Sequence, residues 1–190
     1  DNTPADNPLT DHGATLGRVL FYDRQLSRNN TVACASCHDQ RAGFSDPRQF
    51  SVGFEGGRTT RNAMSLASLR YTNLKGVRPG FFWDERAPTL EALALMPIQD
   101  QIEMGMNLKD LEAKLQKLPY YPPLFKAAFG SSQVSSDRIA KSIAQFLRSM
   151  LALSSKFDSA AAKSAGGDYA ADFADLKATW LRFDLGAVAR

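Results

Sequence analysis

This sequence predicts an all-α, loop-rich fold, and three observations carry the prediction. Apolar residues recur at helical spacing in several separate segments, and strand-like alternation is weaker throughout. From Gly43 to Asn73 the chain is rich in Gly, Ser, Thr, Asn and Arg and has no sustained period, which reads as a long ordered loop. Cys34-Ala35-Ser36-Cys37-His38 is a C-x-x-C-H run, the attachment signature of a c-type haem. Two thiols at this spacing can form thioethers to the vinyl edges of one porphyrin, and the adjacent imidazole is then held beneath the iron. The expected architecture is therefore a c-type cytochrome fold wrapped around one covalently bound haem.

The elements follow in order. Leu16, Val19, Leu20 and Phe21 predict a helix over 10–22 with Thr10 or Asp11 as N-cap. The haem motif is expected to open into a short helix near 32–39. Pro88 suits the first turn of a helix running to Met96, with Pro97 as its terminator. Asn107 can cap a helix bearing Leu108, Leu111, Leu115 and Leu118 on one face, which Pro119, Pro122 and Pro123 then break. Ser135 or Ser136 caps the clearest helix, with Ile139, Ile143, Phe146, Leu147, Met150 and Leu151 as its apolar stripe. Ser159–Ala171 reads as a small-residue surface connection, and Phe173, Leu176, Trp180 and Phe183 suggest a last helix.

The chain's two cysteines both lie in the haem motif, so none is left for a disulfide. A redox-active C-x-x-C or half a zinc site are the competing readings. The first would want a βαβ context and the second more Cys or His ligands. A net charge of +3 without a Lys/Arg run gives no argument for nucleic acid. No apolar stretch is long enough to span a bilayer. Asp1-Asn2-Thr3-Pro4 is not a signal peptide, so an exported protein would be read here in mature or trimmed form. Because C-x-x-C-H haems are attached outside the bacterial inner membrane, a periplasmic address is expected.

A longer set of residues resembles a known family. Leu16-Gly17-Arg18-Val19-Leu20-Phe21-Tyr22-Asp23, Leu26-Ser27 and the haem motif are similar to the opening of bacterial di-haem cytochrome c peroxidases. Arg61-Asn62-Ala63, Phe82-Trp83-Asp84-Glu85-Arg86, Pro97-Ile98-Gln99-Asp100 and Glu103-Met104-Gly105 follow in the family's order and spacing. That family also includes di-haem enzymes that oxidise protein tryptophans during cofactor maturation. The resemblance implies a peroxidase-like N-terminal haem domain over 1–158, with 159–190 a connection and terminal helix that match weakly. A second haem domain is a candidate partner, because the family carries a further C-x-x-C-H that this chain lacks.

The resemblance also implies roles. His38 becomes the proximal iron ligand, its other ring nitrogen donating to a backbone carbonyl. Glu103 matches the distal acid/base that moves a proton between the peroxide oxygens; outside that context it reads as a solvated glutamate. Trp83 matches an electron relay, with a packed aromatic as the alternative. Asn62 matches a residue of a calcium site, with a turn-capping role as the alternative. Arg86 is expected to pair with a haem propionate or a nearby carboxylate, and Arg18 and Arg61 share that expectation. Met104 and Met106 are read as packing residues rather than axial ligands, His12 as a surface or capping residue, and Trp180 as core.

Two departures stand out. Many family members carry a distal histidine where this chain has Phe54, so an open or water-bound iron is expected. Leu93 replaces a glutamine beside the peroxide. The expected reaction is reduction of hydrogen peroxide to water, with electrons from a small donor cytochrome, a cupredoxin or a second haem. The alternatives are a mono-haem electron carrier and a di-haem oxidase acting on a protein or organic substrate. A homodimer is a candidate assembly.

Overall fold

A computed structural model describes residues 1–72 and 80–152. The boundary expected at residue 158, the last helix and Trp180 lie outside those residues. The described residues hold α-helices, short 3₁₀ turns and isolated β-bridges, and no strand among them, as an all-α class requires.

Helix α1 (Asp11–Tyr22) starts where the Thr10 hydroxyl accepts the Gly13 N–H at 3.1 Å. Its buried stripe, Leu16, Leu20 and Phe21, faces the core. Gly13 and Gly17 leave no room for a β-carbon, because Gln145 and the Ser142 backbone lie directly against them. Helix α2 (Cys34–Cys37) is the single turn of the C-x-x-C-H run.

Helix α3 (Leu90–Gln99) corrects the expected boundaries. Thr89, not Pro88, precedes it, and the Thr89 hydroxyl accepts the Ala92 N–H at 3.1 Å. Pro97 does not end it. A proline this close to the C-terminus removes one ladder bond, and the fully buried Ile98 after it anchors the last turn.

Helix α4 (Leu108–Lys117) is capped by Asn107, whose side-chain oxygen accepts the Lys109 N–H at 2.8 Å. Helix α5 (Tyr121–Phe129) runs where the proline cluster predicted only a break. Pro122 and Pro123 sit in its first turn, where N–H groups have no intrahelical partner to lose. Gly130, with φ of 73°, closes it in the left-handed region.

Helix α6 (Ser136–Ser149) is capped by Ser135 and buries Ile139, Ile143, Phe146 and Leu147. Leu151 is exposed, so the stripe stops short of its expected end. Helix α6 packs on α1 and α3, and residues Asp1–Leu151 form one compact unit. Arg148, fully buried on α6, grips Glu91 of α3 through two hydrogen bonds of 2.6 and 3.1 Å and also reaches Asn2.

Candidate haem site and peroxide pocket

The 3₁₀ turn and loop after α2 place His38 against the core. Its Nδ1 lies 2.9 Å from the Phe44 carbonyl oxygen, so the tautomer protonated there donates to it and leaves Nε2 for a metal. Phe44 adopts φ of 58°, which turns its carbonyl towards the ring. Burial holds the imidazole below its usual pKa range, against hydrogen bonds to the backbone of Phe44 and Met64. A neutral imidazole is the form that ligates iron.

The two sulfurs sit in surroundings suited to uncharged sulfur. Burial first and the neighbouring Cys37 second push the Cys34 thiol up to about 12. Burial also raises Cys37, against a hydrogen bond with Ser51. Reactive or zinc-binding cysteines sit where the thiolate is favoured, whereas a thioether carries no charge at all. Among the described residues no group of three His, Cys, Asp or Glu side chains is placed to hold a metal ion.

Two adjoining cavities share His38, Cys37, Met64, Phe82, Pro97 and Glu103 in their walls. The larger, of about 340 Å³, lies within the size range of cofactor pockets and is bounded by polar loop residues. The smaller, of about 70 Å³, is an apolar slot lined by Phe21, Leu66, Leu93, Met104 and Leu147. The chemistry of the two linings fits a flat apolar macrocycle with charged edges: the slot could meet an apolar edge, and Arg61, Asn62 and Arg86 in the larger cavity could meet a polar one.

Glu103 reaches both cavities from the loop after α3. Asp100 organises that loop by accepting the N–H groups of Ile102 and Glu103 at 2.8 and 3.0 Å. Burial first, and the Asp100 charge second, raise the Glu103 pKa above the ordinary carboxylate range, opposed by Arg86. A half-buried carboxylic acid beside an imidazole that can hold a metal is equipped to take up and release a proton.

The rim is a tight corner over residues 80–87, closed by an antiparallel bridge between Phe81 and Ala87. Phe82 and Glu85 both take positive φ there, 70° and 59°. The corner presents Trp83, 65% exposed, with its indole N–H donating to the Asn62 carbonyl at 2.9 Å. Trp83 therefore stands on the rim of the larger cavity. Asp84 accepts from Arg86 at 2.8 Å and from Arg61 at 2.6 Å, and these two cations hold its carboxyl down at about 2. The Arg86 guanidinium also lies 3.8 Å over the Phe82 ring.

The other residues singled out in the sequence are placed as follows. The Asn62 amide donates to the carbonyls of Asp46 and Arg48 at 3.1 and 2.7 Å, clamping the loop. Met104 and Met106 are buried in the core, and His12 and Arg18 are exposed on α1. Phe54 is buried, but its ring turns onto Gly105 and Arg28, and it walls neither cavity. Asp46 was not anticipated: its buried carboxylate receives Ser51 at 2.7 Å and two Arg48 nitrogens at 2.8 and 2.9 Å. Phe44 and Met64 were likewise missed, because a loop without periodicity gives no signal of which residues turn inward; Phe82 stood in a quoted motif but without a role.

A helical chain with a haem-attachment motif opening onto an acid-bearing cavity has the make-up of a c-type cytochrome domain. The sequence profile of the di-haem cytochrome c peroxidases matches residues 11–166, and the chain belongs to that family. It is 36% identical over 155 residues to the methylamine utilization protein MauG of Methylophilus methylotrophus, covering 82% of this chain and 44% of that protein. It is 34% identical over 145 residues to the cytochrome c551 peroxidase of Nitrosomonas europaea, covering 76% and 42%. Among solved structures it resembles a MauG-like protein associated with microbial copper homeostasis, with TM-score 0.71, 36% identity, and 82% and 45% of the two chains covered. The diheme peroxidase BthA of Burkholderia thailandensis gives TM-score 0.69 at 26% identity, covering 84% and 44%. The chain spans less than half the length of these relatives. No helix among the described residues is long and apolar enough to cross a membrane.

Proposed function

We propose that residues 1–158 are a haem domain that reduces hydrogen peroxide to water, and that 159–190 lead out of it. The observation that carries this reading is the half-buried Glu103 with its raised pKa, sharing both cavities with His38. One haem c would be held by Cys34 and Cys37 as thioethers and by His38 through Nε2, with Arg86 and Arg61 at its charged edge. When bound, the haem supplies the iron and the electrons' point of delivery. The chain's own residues do the rest. His38 stays neutral and fixed in orientation by Phe44. Glu103 takes a proton from one peroxide oxygen and returns it to the other, and the O–O bond breaks as two electrons and two protons arrive. Leu93 gives that step no hydrogen bond, and Phe54 keeps its ring out of the pocket.

Electrons would come from a small donor cytochrome, a cupredoxin or a second haem domain, with Trp83 on the rim as their entry relay. Calcium is proposed at Asn62 only as one candidate ligand, through Oδ1, since its amide nitrogen is engaged. A periplasmic site follows from the attachment chemistry, and a homodimer is a candidate assembly.

A second reading is favoured by the 36% identity to the MauG protein and by the exposed Trp83. It is a domain whose oxidised haem acts on a protein or organic substrate. Intact mass and the ferric absorption spectrum before and after peroxide test both. One haem and a rapid spectral change that Glu103→Gln abolishes, with haem retained, are expected. A six-coordinate low-spin spectrum indifferent to peroxide overturns the enzyme reading in favour of an electron carrier.

A further inference from the structure

A second polar cluster lies behind the haem motif and takes no part in the chemistry above. Tyr121, at the start of α5, is fully buried, yet its hydroxyl donates to Asp23 Oδ2 at 2.7 Å. Tyr120 donates to the same oxygen at 2.9 Å. The two rings lie 4.6 Å apart between centroids, and Tyr120 is 42% exposed. One carboxylate thus bridges an interior phenol and a surface phenol.

The interior end points to the haem motif. Helix α5 packs on α1, and α1 on α2. Tyr121 belongs to the buried cluster against which Cys34 packs. Burial first, and then the Asp23 carboxylate, raises the pKa of both hydroxyls. Both phenols therefore stay protonated at neutral pH. A neutral tyrosine resists loss of an electron unless its proton has somewhere to go at the same moment. Asp23 Oδ2 lies within the reach that proton transfer needs, on both sides. Its other oxygen is committed to the Gln25 N–H at 2.8 Å, which fixes the carboxylate in place.

We propose that Tyr121 and Tyr120, bridged by Asp23, form a redox exit through which an oxidising equivalent leaves the haem at its Cys34 edge. In the first step Tyr121 gives one electron to the oxidised haem, its O–H bond breaks, and the proton forms an O–H bond on Asp23. In the second, Tyr120 gives an electron to the Tyr121 radical. The Asp23 proton returns to Tyr121 while the Tyr120 proton moves to Asp23. The hole then sits on the exposed ring, where a soluble one-electron reductant fills it and Tyr120 recovers its proton from Asp23. This inference rests on the haem-binding reading above.

The test oxidises the haem-loaded chain with hydrogen peroxide and, separately, with peracetic acid, and reads frozen samples by electron paramagnetic resonance. A tyrosyl signal is expected, narrowed by ring-deuterated tyrosine, lost in Tyr121→Phe and retained in Tyr22→Phe. A radical trap should be found on Tyr120 by peptide mass mapping of the unmutated protein, which needs no variant to fold. Asp23→Asn should delay the signal. Absence of a tyrosyl signal with peracetic acid, its survival in Tyr121→Phe, or trapping on Tyr22 or Tyr71 instead overturns the exit. A tyrosyl signal with peracetic acid but no response to hydrogen peroxide overturns the peroxidase reading and leaves the exit standing.

Discussion

Phe54 donates its backbone N–H to the Glu103 carbonyl at 3.0 Å and lays its ring against Gly105, two residues further on. Phe54 is thus a brace for the loop that carries Glu103. Gly105 has φ of 60°, and a β-carbon there would collide with the Phe54 ring. Gly105→Ala should cost about 2–4 kcal/mol, combining a left-handed non-glycine residue with overpacking. Urea unfolding of the haem-loaded protein measures it, and the peroxide response should weaken in parallel as Glu103 moves.

The acid limb of the peroxide reaction should lie above the ordinary carboxylate range. Glu103 must be ionised to accept a proton, and burial together with Asp100 raises its pKa above the usual 4.5. Asp100→Asn keeps the side-chain oxygen that holds the loop but removes the charge, so the limb should move to lower pH. Stopped-flow haem absorbance against pH reads the shift. The same group favours the folded state in its protonated form. That contribution is complete below pH 4.5 and fades as pH rises through the raised value.

Asp46 behaves in the opposite sense. The Arg48 hydrogen bonds, foremost, draw its pKa down from 3.8 to about 2 against the effect of burial. Its stabilisation is therefore present above 3.8 and lost as pH falls through about 2. Asp46→Asn should lower the unfolding midpoint at pH 7, and the gap to the unmutated protein should close in strong acid.

Much of this fold is legible in the amino-acid sequence. Helices α1, α4 and α6 are amphipathic, with capping residues at their starts, so periodicity locates them. Helix α5 hides behind Pro122 and Pro123, since a proline pair marks a break or a first turn equally well until packing decides. Cys34, Cys37 and His38 are legible because attachment chemistry fixes their spacing. The walls contributed by Phe44, Met64 and Phe82 come from loops whose course is set by single contacts, such as Ser65 Oγ to the Gly43 carbonyl at 2.6 Å. Asp46 looks like any loop aspartate in the sequence because, beyond Arg48 in its own turn, its burial depends on Ser51 and Asn62 converging from further along the chain.

Removal of one partner of the Arg148–Glu91 pair should be among the most damaging single changes in the domain. Arg148 is fully buried, and Glu91 supplies both of its carboxylate oxygens to it as well as accepting from Asn7 at 2.7 Å. Glu91→Ala would leave a guanidinium in the core with only the Asn2 oxygens as partners. The expected loss is about 3–5 kcal/mol, the usual cost of stranding a buried charge. A double replacement, Glu91→Leu with Arg148→Met, exchanges the pair for apolar packing and should recover most of that loss. Guanidinium unfolding of the single and double variants measures both. A single variant as stable as the unmutated protein would mean that water, not Glu91, satisfies Arg148.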